Sequence, residues 1–467
     1  MKTDTIAAIA TAMANSGIGI VRISGEEAFS VIDKIYRPKK GNKILSQAAS
    51  HTVHYGYIYD GDKVVDEVMV LVLKSPNTYT REDTVEIDCH GGTLVLTRIL
   101  ETVIKFGARL AEPGEFTKRA FLNGRIDLSQ AESVIDVINA QNDFALESSL
   151  RQLQGTVKQE VQKIRGKLIH EIAFIESALD DPEHISMEGY GDRLLGIVED
   201  LSGQISSLVS SSENGILLKE GINTVIIGKP NVGKSSLMNL LAGEERAIVT
   251  DIAGTTRDAL REQINLNGIT LNVVDTAGIR DTEDKVERIG VDRAKSYLGQ
   301  ADLVLFMVDS SACLDKDDEE ILSLLSGKND GKKVIVLLNK SDLGQAVTED
   351  LVRAQMGQDG MGYPILTVSV KDAKGMEGLE QAIKEMFFHG ELSLHNEIYI
   401  TNVRQKSALQ SALCSLSMVK QSIEDGMPED FYSIDLTDAC EELGNITGES
   451  VGEDLVNEIF SKFCMGK

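Results

Sequence analysis

The sequence predicts a multidomain α/β protein in which a domain with a mostly parallel sheet is inserted into an all-α helical domain. The length of 467 residues points to roughly two to four domains, because it exceeds a single ordinary core. Strand-like runs give way to long helical spacing near residue 120. Strands then alternate with helical segments in residues 221–388 before helical spacing resumes, which indicates one helical domain divided by an insertion.

Residues 1–119 are predicted to form a compact α+β domain. Short apolar runs at residues 17–23 and 67–73 lie between turn residues, as strands do. Helical spacing begins after this domain, where Asp127 and Gln130 have the spacing of a capping box. No proline follows before Pro182, and the spacing predicts one or two long helices between Asp127 and Pro182. Residues 120–220 form the first segment of the helical domain.

Five strand-like apolar runs predict the inserted domain, residues 221–388. They lie at residues 224–227, 269–274, 303–308, 334–338 and 365–368. The helical segments between them predict a mostly parallel sheet with helices on both faces. Asn267-Gly268 predicts a hairpin turn before the second run. Residues 389–467 are then the second segment of the helical domain.

The composition narrows the classes of function. No apolar run approaches the roughly 18–20 residues that span a bilayer, so we expect a cytoplasmic protein with no membrane partner. The net charge of −26 disfavours a large surface for binding nucleic-acid phosphates. If RNA is the substrate, we expect a partner protein to supply much of the RNA-binding surface. Residues 421–461 contain twelve acidic and no basic residues, which indicates a solvated helical surface or a docking face for a basic partner. The five cysteines are scattered, without the paired spacing of a zinc site.

A phosphate-binding motif follows the first predicted strand of the inserted domain. Residues 228–235 read Gly-Lys-Pro-Asn-Val-Gly-Lys-Ser and precede a helical segment. In this context backbone N–H groups surround the phosphates, and Lys234 neutralises the β- and γ-phosphates. The Ser235 hydroxyl reaches Mg²⁺.

Four further motifs occur in the order expected of a GTP-binding domain. Residues 254–258 supply a switch threonine, and residues 275–278 end the next strand, where the aspartate holds the magnesium shell and the glycine senses the γ-phosphate. Asp342 ends the motif Asn-Lys-Ser-Asp, and its carboxylate accepts both N–H groups of guanine. Residues 369–371 support the base. Together these motifs predict a Ras-like P-loop GTPase domain, and the alternative is another phosphate-binding α/β domain.

The sequence points to an unusual hydrolytic mechanism. Ile279 stands where Ras-like switches carry the glutamine that orients the attacking water. Glu287 is the best candidate for that role, and the alternative is that it is one of several exposed acids in its segment. Asn231 is a candidate ligand, with backbone oxygens of residues 246–254, for a monovalent cation that does the work of an arginine finger. The alternative is that the Asn231 side chain bonds neighbouring backbone. The predicted catalytic residues are Glu287, Lys234 and Asn231.

Motifs outside the nucleotide site are shared with one family. They are Asp4-Thr5-Ile6-Ala7-Ala8-Ile9-Ala10-Thr11, residues 17–25, Glu112-Pro113-Gly114-Glu115-Phe116-Thr117, Asp127-Leu128-Ser129-Gln130-Ala131-Glu132 and Cys464-Met465-Gly466-Lys467. With the GTPase motifs they resemble MnmE, also called TrmE, the family of tRNA-modification GTPases. The resemblance covers nearly all of the chain, and the terminal motif is specific because a generic GTPase does not need it.

The resemblance implies a function beyond GTP hydrolysis. It implies an N-terminal domain that dimerises and binds 5-formyltetrahydrofolate or a related one-carbon tetrahydrofolate. It implies GTP as substrate, Mg²⁺ and K⁺ as cofactors, and G domains that dimerise on GTP binding. The homodimer would join the FAD-containing MnmG (GidA) in a heterotetramer or larger complex. That complex would add a carboxymethylaminomethyl or aminomethyl group to C5 of the wobble uridine, position 34, of certain tRNAs.

The resemblance also assigns site residues. Potassium falls on Asn231, Thr250, Ile252 and Thr255, magnesium on Ser235 and Thr256, and the water-orienting acid on Glu287. Folate contacts fall on Arg22, Glu82, Arg125 and Lys467; the alternatives are a strand-end salt bridge for Arg22 and ordinary surface charges for Glu82 and Arg125. Apart from the resemblance, Cys464 is a candidate reactive thiol, because a nearby lysine can activate a thiol. The GTP-binding residues are Asn231, Val232, Gly233, Lys234, Ser235, Ser236, Thr250, Asp251, Ile252, Ala253, Gly254, Thr255, Thr256, Asp275, Thr276, Ala277, Gly278, Asn339, Lys340, Asp342, Ser369, Val370 and Lys371.

Two other functions are compatible with the GTPase motifs. A ribosome-assembly switch of the Era or Der type would carry an RNA-binding KH domain or a second G domain, whereas the phosphate-loop motif occurs once in this chain. A GTP-regulated scaffold would contain the same G-domain motifs but would need neither a folate pocket nor Lys467.

Overall fold

The computed structural model describes residues 4–244, 261–274, 299, 301–326, 333–356, 362–388, 400–449, 452–461, 463 and 466. The chain forms two compact units. The first unit contains Met1–Ile138, Ser149–Ser202 and Ala408–Lys467, and the second contains Asn139–Ser148 and Gly203–Ser407. No helix among these described residues is long and apolar enough to cross a membrane.

The first unit contains a seven-stranded sheet near the N-terminus. Its strands are β1 (Ile6–Ile9), β2 (Ser16–Ser24), β3 (Tyr36–Pro38), β4 (Thr52–Asp60), β5 (Lys63–Leu73), β6 (Thr84–Gly91) and β7 (Arg109–Leu110). Their order across the sheet is β3-β4-β5-β6-β2-β1-β7, and every pair is antiparallel except β1 with β7. Helices α1 (Ala28–Ile35) and α2 (Thr93–Lys105) share one apolar core with the sheet. The α+β prediction for this segment is confirmed.

Helices make up the rest of the first unit, and some of them continue into the second unit. Along the chain they are α3 (Glu115–Leu122), α4 (Leu128–Asn139), α5 (Asp143–Leu153), α6 (Thr156–Asp180) and α7 (Tyr190–Glu220). The helices of the C-terminal segment are α12 (Val403–Glu424), α13 (Glu429–Thr447) and α14 (Glu453–Ser461). Helix α6 packs against α13, where Arg165 Nε donates to the Cys440 carbonyl at 3.0 Å. Two distant parts of the chain thus form one helical domain, as predicted.

The start of the helical domain has the predicted capping box, but the predicted number of helices was wrong. Asp127 Oδ1 accepts the Gln130 N–H at 2.9 Å, and Gln130 Oε1 accepts the Asp127 N–H at 3.1 Å. Three helices follow instead of one or two. A new helix begins where Asn142 Oδ1 accepts the Ala145 N–H at 2.7 Å, and Gly155 ends it in the left-handed region at φ +90°.

The second unit contains a six-stranded sheet covered on both faces. Its strands are β8 (Ile222–Ile227), β9 (Arg261–Leu266), β10 (Ile269–Val274), β11 (Leu303–Asp309), β12 (Lys333–Asn339) and β13 (Ile365–Thr367), in the order β13-β12-β11-β8-β10-β9. All pairs are parallel except the hairpin of β9 and β10, which turns at Asn267-Gly268 as predicted. Each of the five predicted runs forms a strand.

Helices cover both faces of this sheet, as the alternation predicted. They are α8 (Lys234–Glu244), α9 (Lys316–Ser326), α10 (Glu349–Met356) and α11 (Met376–Phe388). Apolar residues of α8 and α11 belong to one core cluster, and those of α9 and α10 belong to a second. The carboxyl ends of β8, β11 and β12 therefore meet at one edge of a buried parallel sheet, where ligands bind in such folds.

Candidate functional site

The phosphate loop connects β8 to α8 at the carboxyl edge of the second sheet. Strand β8 ends at Ile227, and α8 begins at Lys234, so the loop and the first helical turn coincide with the predicted motif. Asn231 lies exposed on the loop with a left-handed backbone at φ +62°. Backbone N–H groups at the start of a helix attract anions, and this arrangement suits a phosphate.

Lys234 lies at the centre of this loop. Its Nζ donates to the carbonyl oxygens of Gly228 at 2.7 Å and Lys229 at 2.9 Å. Burial lowers the pKa of Lys234, since the half-buried ammonium loses hydration. The ammonium has carbonyl partners and no carboxylate partner among the described residues, so a phosphate would supply the missing negative charge.

Asn339 joins three of the predicted motifs. Its Nδ2 donates to the Val232 carbonyl at 2.7 Å, and its Oδ1 accepts the Val370 N–H at 3.0 Å. Gly233 allows this close approach, because a Cβ on Gly233 would lie 2.4 Å from Asn339 Nδ2 and the residue has φ +105°. The phosphate loop, the Asn339 motif and the loop at residues 369–371 therefore meet around one side chain.

The predicted guanine-binding carboxylate lies beside the same junction. Asp342 is in a short 3₁₀ turn, Ser341–Leu343, after β12. Its Oδ1 accepts the Ser369 hydroxyl at 3.0 Å, and its Oδ2 lies 3.8 Å from Lys371 Nζ. Lys340 Nζ pairs with Asp309 Oδ2 at 2.6 Å. An ionised carboxylate can accept two N–H donors, and the guanine edge presents two.

Several predicted nucleotide-site residues lie outside the described residues. Ser235 and Ser236 are exposed at the start of α8, but the structure describes neither of the two switch segments. The predicted residues outside the description are Thr250, Asp251, Ile252, Ala253, Gly254, Thr255, Thr256, Asp275, Thr276, Ala277, Gly278, Ile279 and Glu287.

Two of the predicted folate contacts lie against one aromatic ring in the first unit. The guanidinium carbon of Arg125 is 4.4 Å from the centre of the Tyr79 ring, and that of Arg22 is 5.7 Å away. Arg22 also pairs with Glu86 at 2.7 Å and donates to the Gly466 carbonyl at 3.3 Å. The third predicted contact, Glu82, accepts the Ser24 hydroxyl at 2.8 Å. Lys467 and Cys464 lie outside the described residues.

Sequence reasoning missed residues that hold these sites in place. Arg119 is buried and pairs with Glu82 at 3.1 Å and with Asp4 at 2.8 Å. Hydrogen bonds and charge from Glu82 and Glu115 outweigh the cost of its burial and raise the pKa of Arg119. Tyr79 lies in a loop, where no periodicity identifies it. Arg119 comes two residues after the family motif at residues 112–117, and this position was the only hint in the sequence of its role.

Family comparisons cover almost the whole chain. Residues 5–125 match the family described as GTP-binding protein TrmE N-terminus. Residues 128–464 match the MnmE helical domain family, a range that includes the inserted sheet.

Full-length relatives agree with these matches. The chain is 56% identical over 467 residues to the tRNA modification GTPase MnmE of Lachnoclostridium phytofermentans, covering 100% of both chains. It is 48% identical over 468 residues to the protein of the same name from Acetivibrio thermocellus, again covering 100% of both. A crystal structure of Aquifex aeolicus Era is 30% identical over 42% of this chain and 67% of its own, but its TM-score of 0.27 supports no structural argument.

Proposed function

The chain belongs to the MnmE (TrmE) family, and on that premise we propose that it is a GTP-hydrolysing enzyme of tRNA modification. The observation that carries the proposal is the junction at Asn339, which bonds Val232 of the phosphate loop and Val370 beside the base-binding aspartate. A site that joins a phosphate loop to a guanine-reading carboxylate binds GTP and positions it for hydrolysis. Family membership favours tRNA modification over ribosome assembly or a scaffold.

The proposal extends to the partner protein and to the group that is added to tRNA. We propose that the enzyme acts as a homodimer with MnmG and adds a carboxymethylaminomethyl or aminomethyl group to C5 of the wobble uridine. Support comes from relatives named tRNA modification GTPase that match the chain from end to end. The proposed domains are residues 1–119 for dimerisation and folate binding, 120–220 and 389–467 for the helical domain, and 221–388 for the G domain.

We propose that Asn231, with backbone oxygens of Thr250, Ile252 and Thr255, holds K⁺. The exposed Asn231 carboxamide bonds none of the described residues, so it is available as a ligand. Ser235 and Thr256 would hold Mg²⁺, since hydroxyl oxygens suit that hard cation. The two cations would supply positive charge beside the phosphates, while Glu287 orients the attacking water and Lys234 binds the β- and γ-phosphates.

We propose that the Tyr79 ring, Arg22 and Arg125 bind the tetrahydrofolate cofactor together with Glu82 and Lys467. The ring and two guanidinium groups fit a ligand that combines a flat heterocycle with carboxylates. The cofactor would supply a one-carbon unit, and these residues would bind and orient it. Cys464 precedes Lys467 by three residues and is the proposed reactive thiol.

Cation dependence tests the proposed GTPase mechanism. GTP turnover by the full-length protein should rise by about tenfold or more when KCl replaces NaCl, because the larger cation suits the proposed oxygen ligands. Asn231→Ala should remove that advantage. Asn239→Ala alters an exposed asparagine on α8 outside the predicted site, and should keep it. Equal rates in both salts for the wild-type enzyme would exclude the potassium mechanism.

A further inference from the structure

The segment from the last residue of β11 to the first turn of α9, residues 309–318, forms ion pairs with both halves of the nucleotide site. On the phosphate side, Lys229 Nζ lies 2.7 Å from Asp318 Oδ2 and 2.8 Å from Asp315 Oδ2. On the guanine side, Lys340 Nζ lies 2.6 Å from Asp309 Oδ2. Neither Asp309 nor Asp318 belongs to a predicted nucleotide-binding motif.

We propose that residues 309–318 hold the phosphate loop and the guanine-binding motif in fixed positions relative to each other. Lys229 and Asp318 are the positioning residues for nucleotide binding. This inference rests on the proposed GTPase function. The two lysines belong to different motifs, whereas their acidic partners belong to one short segment, which therefore connects the two motifs. We call residues 309–318 the connecting segment.

The phosphate side of the connecting segment depends on a buried charge. The Asp318 side chain is 1% exposed, whereas Asp315 is 54% exposed and Lys229 is 16% exposed. Asp318 Oδ1 has no hydrogen-bond partner in the described part of the chain, while Oδ2 accepts the Asp315 N–H at 3.2 Å and pairs with Lys229, which supplies the compensating positive charge. A buried pair of this kind is costly to break, because removal of one partner leaves an unpaired charge. Lys229 is consequently held firmly to α9.

Lys229 transmits this anchoring to Lys234. The carbonyl oxygen of Lys229 accepts a hydrogen bond from Lys234 Nζ at 2.9 Å, within the phosphate loop. The anchored residue and the phosphate-binding lysine are thus in direct contact. Burial lowers the pKa of Lys229, but its hydrogen bonds to Asp315 and Asp318 outweigh that effect and raise the pKa, so the side chain stays charged.

The guanine side of the connecting segment holds the residues next to Asp342. Asp309 Oδ1 accepts the Ser311 hydroxyl at 2.6 Å, and Oδ2 accepts Lys340 at 2.6 Å. Ser310 donates its hydroxyl to the Asn339 carbonyl at 2.7 Å. Lys340 has a left-handed backbone at φ +65°, which the flanking contacts stabilise. The connecting segment thus fixes the turn that carries the guanine-binding carboxylate.

Three single variants test the positioning role in the full-length protein. Lys229→Met removes the charge and keeps the aliphatic stem, Lys229→Arg restores a cation, and Lys384→Met removes a lysine paired with Glu380 elsewhere in the second unit. We expect Lys229→Met to weaken the binding of fluorescent GDP about tenfold and to raise the KM for GTP. For Lys229→Arg and Lys384→Met, both quantities should stay within about twofold of wild type. A variant that only folds less well would instead have a lower apparent kcat, because a smaller fraction of the protein is active, and its KM would be unchanged.

A double variant separates positioning from the cost of a buried charge. Lys229→Met with Asp318→Leu removes both charges, so the thermal midpoint should recover toward wild type while GDP binding stays about tenfold weak. GDP binding at the wild-type level in Lys229→Met or in the double variant would overturn the inference. Absence of GDP binding in the wild-type protein would overturn the proposed function as well.

Discussion

The proposed guanine-binding role of Asp342 gives a prediction at the scale of a single residue. Its carboxylate is held by the Ser369 hydroxyl, and ionised oxygens accept two N–H groups from guanine. Asp342→Asn turns one acceptor into a donor, so GTP affinity should fall by about 100-fold. Xanthine carries an oxygen in place of the guanine amino group, and the variant should prefer XTP. Competition binding with GTP and XTP measures the change, and an unchanged preference for GTP would refute the assignment.

Gly233 is a second residue on which the nucleotide site depends, because it has no Cβ. A Cβ at this position would lie 2.4 Å from Asn339 Nδ2, and φ +105° strains any other residue. Gly233→Ala should therefore displace Asn339, break its bonds to Val232 and Val370, and weaken GDP binding by about tenfold or more. Isothermal titration with GDP measures this loss.

Gly243→Ala is the matched control for that variant. Gly243 lies in α8 with no atom within 4 Å of the added Cβ, so alanine should leave GDP binding intact and raise helix stability by about 1 kcal/mol. Equal GDP affinity in both variants would show that the contact between Gly233 and Asn339 does not matter for binding.

The capping box gives a prediction at the scale of one element, α4. Asp127 Oδ1 accepts the Gln130 N–H at 2.9 Å and the Ser129 hydroxyl at 2.7 Å. Asp127→Ala should lower the free energy of unfolding by about 1 kcal/mol, because an N-terminal N–H group loses its acceptor. Urea unfolding followed by circular dichroism measures the change.

Asp180→Ala provides the comparison for the capping variant. Asp180 is exposed at the last position of α6, where an acid opposes the helix dipole. Its replacement should leave the free energy of unfolding unchanged or slightly raised. A loss equal to that of Asp127→Ala would argue against a specific role for the cap.

The secondary-structure elements show where sequence patterns predict local structure and where they fail. The buried parallel strands were predicted because continuous apolar runs have few alternatives in a doubly covered sheet. Strand β9 was missed because only Ile264 and Leu266 of its residues are apolar. The breaks at Asn142 and Gly155 were missed because apolar spacing continues across them, although Asn142 caps the start of the new helix and Gly155 has a left-handed backbone at its end.

At the scale of the whole molecule, the motif residues were predictable, but the contacts that assemble them were not. The phosphate loop, the Asn339 motif and residues 369–371 each follow a strand, and parallel strands place their carboxyl ends together. The pair of Lys229 and Asp318 joins residues 89 positions apart, and Asp318 belongs to no motif. Similarly, no pattern indicates that Arg22 and Arg125 lie against Tyr79.

We propose that GTP hydrolysis at this site serves tRNA modification. Nucleoside analysis of tRNA from cells that lack the gene, complemented with the wild-type gene or with Lys234→Ala, tests it most directly. Lys234 binds the phosphates in the proposed site, so the variant should lose GTP turnover by about 100-fold or more. We expect unmodified wobble uridine in the deletion strain and in the Lys234→Ala strain, and modification restored by the wild-type gene. Fully modified wobble uridine in the deletion strain would contradict this proposal.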